Sequence, residues 1–590
     1  MSRKTEQPAA ARRPLKIYAF DPLLGRLPLN RITIDVKNEP LRRGPAGSRI
    51  VVVDYDGAKG CFYEPVDLDD PAILMQSGLE PSESDPRFHQ QMVYAVAMRV
   101  LENFERALGR RMTFRGRVLR IFPHAFEGRN AFFDPHLNAL LFGYFQADRD
   151  RPGLHLPGQP VFSCLSHDIV AHEMTHALVH RLREHFFDRT NHDVGAFHEG
   201  FSDIVAIFQH FSFPEILRDR IQRTRGDLRQ RDAFVELAVE FGYTTGKGGA
   251  LRTAIQEPDP RRYQTVLEPH ERGSILVAAV FDAFFTTYQR RIADLVRIAT
   301  GGTGVLPAGD LHPDLVKRIA GEATLTAQSI LTMCIRSFEY LPPVDITFGD
   351  FLRALVTADF ELSPVDEHGQ RQAMIEAFRA RGIYPDQVPS LSEELLLLPR
   401  ADLPPLSNEL IGHSALNEYI YGGVRRPASS ETKGKDAIPT EVAKKLRDYA
   451  AANAAALGLD GSRPRSLHVQ GFHPAFRVNS YGSLVIELVA QFTQEAETGD
   501  ADLGGMKARA GTTLIAGPDG VVRYIAAKPL PGAGVAAGFQ RQAVDRAGRL
   551  RAFVADCDLA DPHLPWASAR YLKSRIGRLN LASLHEGLQA

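Results

Sequence analysis

The stretch SHDIVAHEMTHALVH (Ser166 to His180) packs four histidines and two carboxylates into fifteen residues. Its apolar residues Ile169, Val170, Leu178 and Val179 recur at helical spacing, so the segment reads as a buried helix. Within it, His172, Glu173 and His176 form the pattern H-E-x-x-H. Residues four apart on a helix sit about 40° off register and ~6 Å along the axis, so two imidazoles converge on one metal ion. Glu173, one position along from His172, is aimed at the neighbouring space, where it can take a proton from an activated water. His180 shares the stripe but lies ~12 Å from His172 along the axis, too far for one ion held at about 2 Å. His167 fails on phase, because five residues turn a helix through about 500°. The expected metal pair is therefore His172 and His176.

A catalytic zinc takes a third protein ligand and keeps an open position. The chain supplies a candidate in GAFHEGFSDIVAIF, an amphipathic helix with Glu199 and Asp203 one turn apart. Glu199 can ligate the metal, and Asp203 can accept a hydrogen bond from the far nitrogen of a ligand histidine. The plainer alternative is a helix start whose acidic residues are favoured by the dipole. His198 competes as a ligand, but it is out of phase with Asp203 and fits an outer or structural position better.

The rest of the chain bounds the setting. At 590 residues it exceeds what one compact core accommodates, so two or more domains are expected. With 44% hydrophobic and 24% charged residues and a formal net charge of -1, nothing selects nucleic acid or an anionic membrane as a partner. The start, MSRKTEQPAAARRPLKIYAF, lacks the apolar core of a signal peptide, and Ile275 to Phe281 is too short to span a bilayer. Cys61, Cys164, Cys334 and Cys557 are scattered without a CxxC pair. A cytoplasmic, reduced protein is the expectation, export by a leaderless route being the alternative.

Patterning divides the chain into a strand-rich region (1–84), a mainly helical region (85–400), a segment rich in Pro, Gly, Ser and charge (401–437) and a small α+β domain (438–590). In the second region HQQMVYAVAMRVLENFERALGRR reads as an amphipathic helix. RVLRIFPHAF and NALLFGYF read as strands flanking the loop EGRNAFFDPH. The last domain opens with the helix TEVAKKLRDYAAANAAALG and continues in β-like runs, with a Pro-Asp-Gly turn between two of them. The overall class is α+β.

The motifs together resemble the thermolysin-like gluzincin metallopeptidases. DIVAHEMTH followed by GAFHEGFSDIVAIF is similar to that family's two zinc helices. Upstream, RNAFFDPHLNALLFGYF resembles the edge strand along which members bind peptide, with Asn130 and Ala131 at the substrate-contacting positions. Downstream, ALRTAIQEPDP resembles the segment with the substrate-binding arginine, here Arg252. EPHERGSILVAAVFDAFF resembles the segment with the histidine that stabilises the transition state, here His270. The matches run in the family's order over roughly residues 85 to 385.

The resemblance implies a two-lobed, zinc-dependent endopeptidase holding one catalytic ion by His172, His176 and Glu199, with Asp203 orienting His172. Glu173 would act as the base, and Glu268 or Glu271 would orient His270. The implied partner is a peptide or protein substrate. The G-x-M-E-N motif by which aminopeptidase members hold a free amine is not found. Other departures are informative. The tyrosine expected shortly after the second zinc histidine is replaced by Phe186 and Phe187, leaving oxyanion stabilisation to His270 and a tyrosine from elsewhere. Asp168 stands at a calcium-binding position, but the later acidic residue is replaced near His210 and no downstream acidic cluster follows, which argues against the family's calcium sites. The competing reading is a non-catalytic zinc fold whose C-terminal domain binds a partner.

Overall fold

The computed structural model describes residues 11–22, 29–114, 118–150, 155–229, 236–237, 252–413, 438–497, 507–531, 536–559 and 578–586. It is a mixed α+β protein, β-rich at the start and helical afterwards. The first strands, β1 (Arg12–Tyr18) and β2 (Arg31–Lys37), pair antiparallel. Their alternating residues Leu15, Ile17, Ile34 and Val36 are buried in one core with helix α1 (Pro86–Leu108). Asp85 caps α1 by accepting from Arg87 N at 3.0 Å, and Gly109 ends it in the left-handed conformation.

Amphipathic spacing predicts one polar face on α1, yet Phe88 to Met98 are all buried. The strands cover the face that would otherwise meet water. Its polar groups are consequently paired: Gln91 Nε2 donates to Lys16 O at 2.8 Å, and Gln90 Nε2 donates to Asp54 at 2.8 Å.

A five-stranded sheet follows. It comprises β3 (Ile50–Val52), β4 (Leu119–Glu127), β5 (Ala131–Asp134), β6 (Ala139–Gln146) and β7 (Pro160–Phe162). The order is β3-β4-β6-β5, with β7 also pairing β6. The segment that patterning reads as a loop, and that the resemblance reads as an edge strand, contains strand β5, which pairs antiparallel with β6 from Ala131↔Phe142 to Asp134↔Ala139. A tight turn makes this pairing: Asp134 accepts from His136 N and Leu137 N at 2.7 and 2.9 Å, and Asn138 takes φ 49°. β5 lies at the edge of the sheet. Asn130 O accepts from Gly143 N of β6 at 2.8 Å, so by alternation the Ala131 carbonyl faces away from the sheet.

The helical region contains α2 (His167–Leu182), α3 (His192–His210), α4 (Pro269–Ala299), α5 (Pro313–Arg336) and α6 (Phe348–Phe360). Ser166, Asn191 and Glu268 cap α2, α3 and α4, so the chain's own side chains define where each helix starts.

The C-terminal domain has α7 (Thr440–Ala452) and an antiparallel meander of β8 (Leu467–Val478), β9 (Leu484–Glu497), β10 (Lys507–Ala516) and β11 (Val522–Lys528), followed by α8 (Gln540–Leu559). Leu446, Leu488, Phe492 and Leu514 build its own core. Leu406 and Leu410 join that core, so the start of the segment read as a linker packs on this domain, while 414–437 lies outside the described residues. The sheet also abuts the helical region, where His473 Nε2 meets Glu339 at 2.9 Å and Thr513 Oγ1 donates to Leu341 O at 2.6 Å. A last helix, α9 (Leu581–Glu586), belongs elsewhere: Leu579, Leu581 and Leu584 are buried in the core of the sheet and helices. Among the described residues no helix is long and apolar enough to cross a membrane.

Helices α3 and α4 touch backbone to backbone at Gly200 and Gly273. A Cβ on Gly273 would lie 2.8 Å from Ala196 O and 2.9 Å from Gly200 N, atoms that cannot move aside singly. Gly273→Ala is therefore expected to destabilise the fold by about 1–3 kcal/mol in denaturant unfolding. Gly321→Ala, with nothing within 4 Å of the new methyl on α5, is expected to be neutral or to stabilise by up to about 1 kcal/mol. Equal effects at the two positions would disprove the close crossing.

Candidate metal centre

The glycine crossing brings the first turn of α4 against the middle of α3, so His270 Nε2 stands 3.1 Å from Glu199 Oε2. The α2 histidines reach the same carboxylate from the other side: His172 Nε2 lies 3.3 Å from Glu199 Oε2 and His176 Nε2 lies 3.5 Å from Oε1. Four ligand atoms around zinc at about 2.0–2.1 Å stand roughly 3.3 Å apart at the corners of a tetrahedron. The two histidine–glutamate separations fit that edge length. His176 Nε2 is buried and makes no hydrogen bond among the described residues. A borderline-soft cation suits this donor set of two imidazoles and a carboxylate.

The groups behind the donors fix their orientation. His172 Nδ1 lies 2.8 Å from Asp203 Oδ1, and because an ionised carboxylate only accepts, Nδ1 donates and Nε2 keeps its lone pair. His176 Nδ1 faces Ser202 Oγ at 3.2 Å and His198 Nδ1 at 3.3 Å. His198 therefore stands behind His176, and burial drives its own ring down to about 3, so it is neutral there. Burial likewise lowers the His176 imidazole well below its ordinary value, leaving the neutral form that a metal ligand needs. Glu199 is the reverse case. Burial opposes its ionisation, but His270 beside it holds its carboxyl well below the usual range.

His270 is braced twice. Its Nδ1 meets Glu268 Oε1 at 2.9 Å, which selects Glu268 over Glu271 as its partner; Glu268 also caps α4. Two residues on, Arg272 Nε donates to Asp193 Oδ1 of α3 at 2.6 Å, and Asp193 Oδ2 accepts from Tyr263 OH at 2.7 Å and Phe348 N at 2.9 Å. This Asp193 hub ties α3, α4 and α6 together and has no signal in the sequence beyond an acidic residue near a helix start.

The remaining residues singled out from sequence fall as follows. Ala131 begins the edge strand β5, with Asn130 just ahead of it, and both are buried. Arg252 lies in a two-residue strand paired with Glu236–Leu237, and its side chain is outside the described residues. His180 packs on Phe187 and Phe133, away from the donors, and His167 packs on His210 and Phe213. Phe187 stacks edge-on against His198, with centroids 4.5 Å apart. Asp168 Oδ1 meets His210 Nε2 at 2.6 Å, so its carboxylate is engaged by an imidazole. A third buried set, His89, His124 and Asp54, is a hydrogen-bonded relay: His89 Nδ1 to His124 Nε2 is 2.8 Å and His124 Nδ1 to Asp54 is 2.6 Å. Its facing ring nitrogens are spent on each other, which suits a structural role.

One residue at the site was not anticipated. His585, from α9, lies 3.5 Å from Glu199 Oε1 by its Nε2 and 3.5 Å from Glu173 Oε1 by its Nδ1. His172, Glu173, His176 and His585 each offer an atom within 4.8 Å of the others, and Glu199, His270 and His585 form an overlapping group. It sits 454 positions after Ala131, whose carbonyl it contacts, and no local motif could announce it.

No protein-family model matches the chain, and no curated protein matches it. The site therefore stands on its own geometry. Asp203→Asn, which can turn a donor toward His172 and lose the fixed tautomer, is expected to weaken zinc binding about 10–100-fold in a chelator competition. Unchanged affinity would mean that Asp203 does not orient His172.

Proposed function

We propose that this chain is a zinc-dependent peptidase of thermolysin-like, two-lobed architecture that hydrolyses internal peptide bonds. The observation that carries the reading is Glu173 set beside the His172–His176–Glu199 donor set, next to the edge strand β5, which α9 covers. His172, His176 and Glu199 would hold the ion, and the chemistry it would supply is Lewis-acid polarisation of a water and of the scissile carbonyl.

The chain's own groups account for the rest. Asn130 and the outward Ala131 carbonyl of β5 can pair with an extended peptide as an added strand, laying its backbone beside Glu173. Glu173 takes a proton from the attacking water and returns it to the leaving amine, a role typically contributing about 10²–10⁴-fold. His270, held by Glu268, donates to the carbonyl oxygen as negative charge builds there, worth about 3–4 kcal/mol for a well-placed donor. Arg252 would hold a substrate carbonyl.

The second reading, a non-catalytic zinc fold, is favoured by Phe186 and Phe187 replacing, in the sequence after His176, the tyrosine that the resemblance leads one to expect. Retention of both Glu173 and His270 favours catalysis, since neither is needed for packing. Expected results separate the two. Glu173→Ala keeps zinc and lowers hydrolysis of casein or a quenched peptide by at least about 10²-fold, while His176→Ala loses the metal. Full peptidase activity in zinc-loaded Glu173→Ala protein would sink the peptidase mechanism.

A further inference from the structure

The edge of β5 beside the donor set is covered by a segment of this same chain. Arg578 forms a bridge with Asp188 and an ion pair with Glu184 at 3.3 Å, and Leu579 N donates to Phe187 O at 2.7 Å. Leu579, Leu581 and Leu584 are then buried, and Asn580 O accepts from Leu584 N at 3.0 Å to close the turn of α9. The two edge-strand positions that would receive a peptide are both engaged: Asn130 Nδ2 donates to Ala582 O at 3.1 Å, and Ala131 O accepts from His585 Nδ1 at 2.7 Å.

The second of these contacts decides the chemistry of His585. A backbone carbonyl only accepts, so Nδ1 carries a proton and Nε2 is the atom left to offer a lone pair to a metal. That atom is buried and makes no hydrogen bond among the described residues, and it stands 3.5 Å from Glu199 Oε1, the same separation as His176 Nε2. The His585 ring centroid is 5.7 Å from those of His172, His176 and His270 alike, so the ring sits over the middle of the centre.

We propose that the segment Arg578–His585 is an internal inhibitor, and that His585 Nε2 is a fourth protein ligand closing the metal centre; this rests on the zinc-peptidase reading above. Four protein ligands make a closed, structural type of site, whereas catalysis needs one position open to water. His585 stands 3.5 Å from both Glu173 and Glu199, where a water or a substrate carbonyl would approach the base. Because α9 is helical, it lays no extended backbone along β5, so it blocks the groove without itself being presented for cleavage. A covalently attached ligand also competes at an effective concentration that free substrate rarely reaches.

The test compares the full-length protein with two variants: the chain ending at residue 577, and full-length His585→Ala, which keeps the leucine anchors. Each is loaded with Co²⁺ for absorption spectroscopy and with Zn²⁺ for peptide hydrolysis. The full-length protein is expected to give a visible cobalt spectrum insensitive to an added hydroxamate, and both variants one that hydroxamate perturbs. Hydrolysis is expected to rise on the order of tenfold or more in both variants, since substrate meets only the molecules whose tail is away. A synthetic peptide of residues 578–590 should restore the full-length spectrum to the truncated protein, and the same peptide carrying His585→Ala should not. Identical spectra and rates in all three proteins would overturn the proposal. So would a loss of activity in His585→Ala with cobalt retained, which would make His585 part of the catalytic machinery. Spectra that change as expected, with no hydrolysis in any variant, would uphold the tail ligand and reject the peptidase reading.

Discussion

A carboxylate sealed in the protein interior sets the terms for everything around it. Glu199 has no exposed surface, and an isolated buried carboxylate costs many kcal/mol unless charges or donors compensate it. Imidazoles from three other elements surround it, His172 and His176 on α2, His270 on α4 and His585 on α9, and a cation held among them would supply the compensating charge. The carboxylate is thus the point at which four elements of the fold converge.

Backbone contact makes this convergence possible. The Gly200–Gly273 crossing lets α3 and α4 approach closer than side chains would allow, which is what puts His270 within reach of a residue on α3. Asp193 then locks the crossing by binding Arg272, Tyr263 and Phe348 at once. On the α2 side, Asp203 and Ser202 of α3 hold the far nitrogens of His172 and His176. Orientation of the donors is therefore a property of helix packing, with few flexible side chains involved.

The edge strand gives the centre its second partner. β5 exists because the Asp134–Asn138 turn folds it back on β6, and being at the edge it offers backbone groups to whatever lies beside it. Those groups meet the chain's own α9, so the C-terminal end contributes to the centre although the α+β domain before it has a core of its own. An exposed strand edge is a liability in water, and covering it with a helix removes that liability.

Short-range pattern made much of the site legible. The H-E-x-x-H spacing singles out His172 and His176 because helix periodicity alone converts spacing into direction, and the same reasoning pairs Glu199 with Asp203 one turn away. The helices of the central region and the strand-rich start were also readable, since amphipathic and alternating periods are local signals. What periodicity could not convey was what covers each element. α1 looked half-solvated because its spacing is amphipathic, yet the N-terminal strands bury its polar face, and β5 looked like a loop because its pairing depends on β6. Glu268 and Glu271 flank His270 equally in the sequence, and only the cap geometry of α4 separates them. His585 is the extreme case: a lone histidine in a short helix carries no spacing relation to residues hundreds of positions earlier. The sequence by itself determined which residues can act as donors, because helix geometry is local; the tertiary structure alone decided which of them meet, because that depends on contacts between segments distant along the chain.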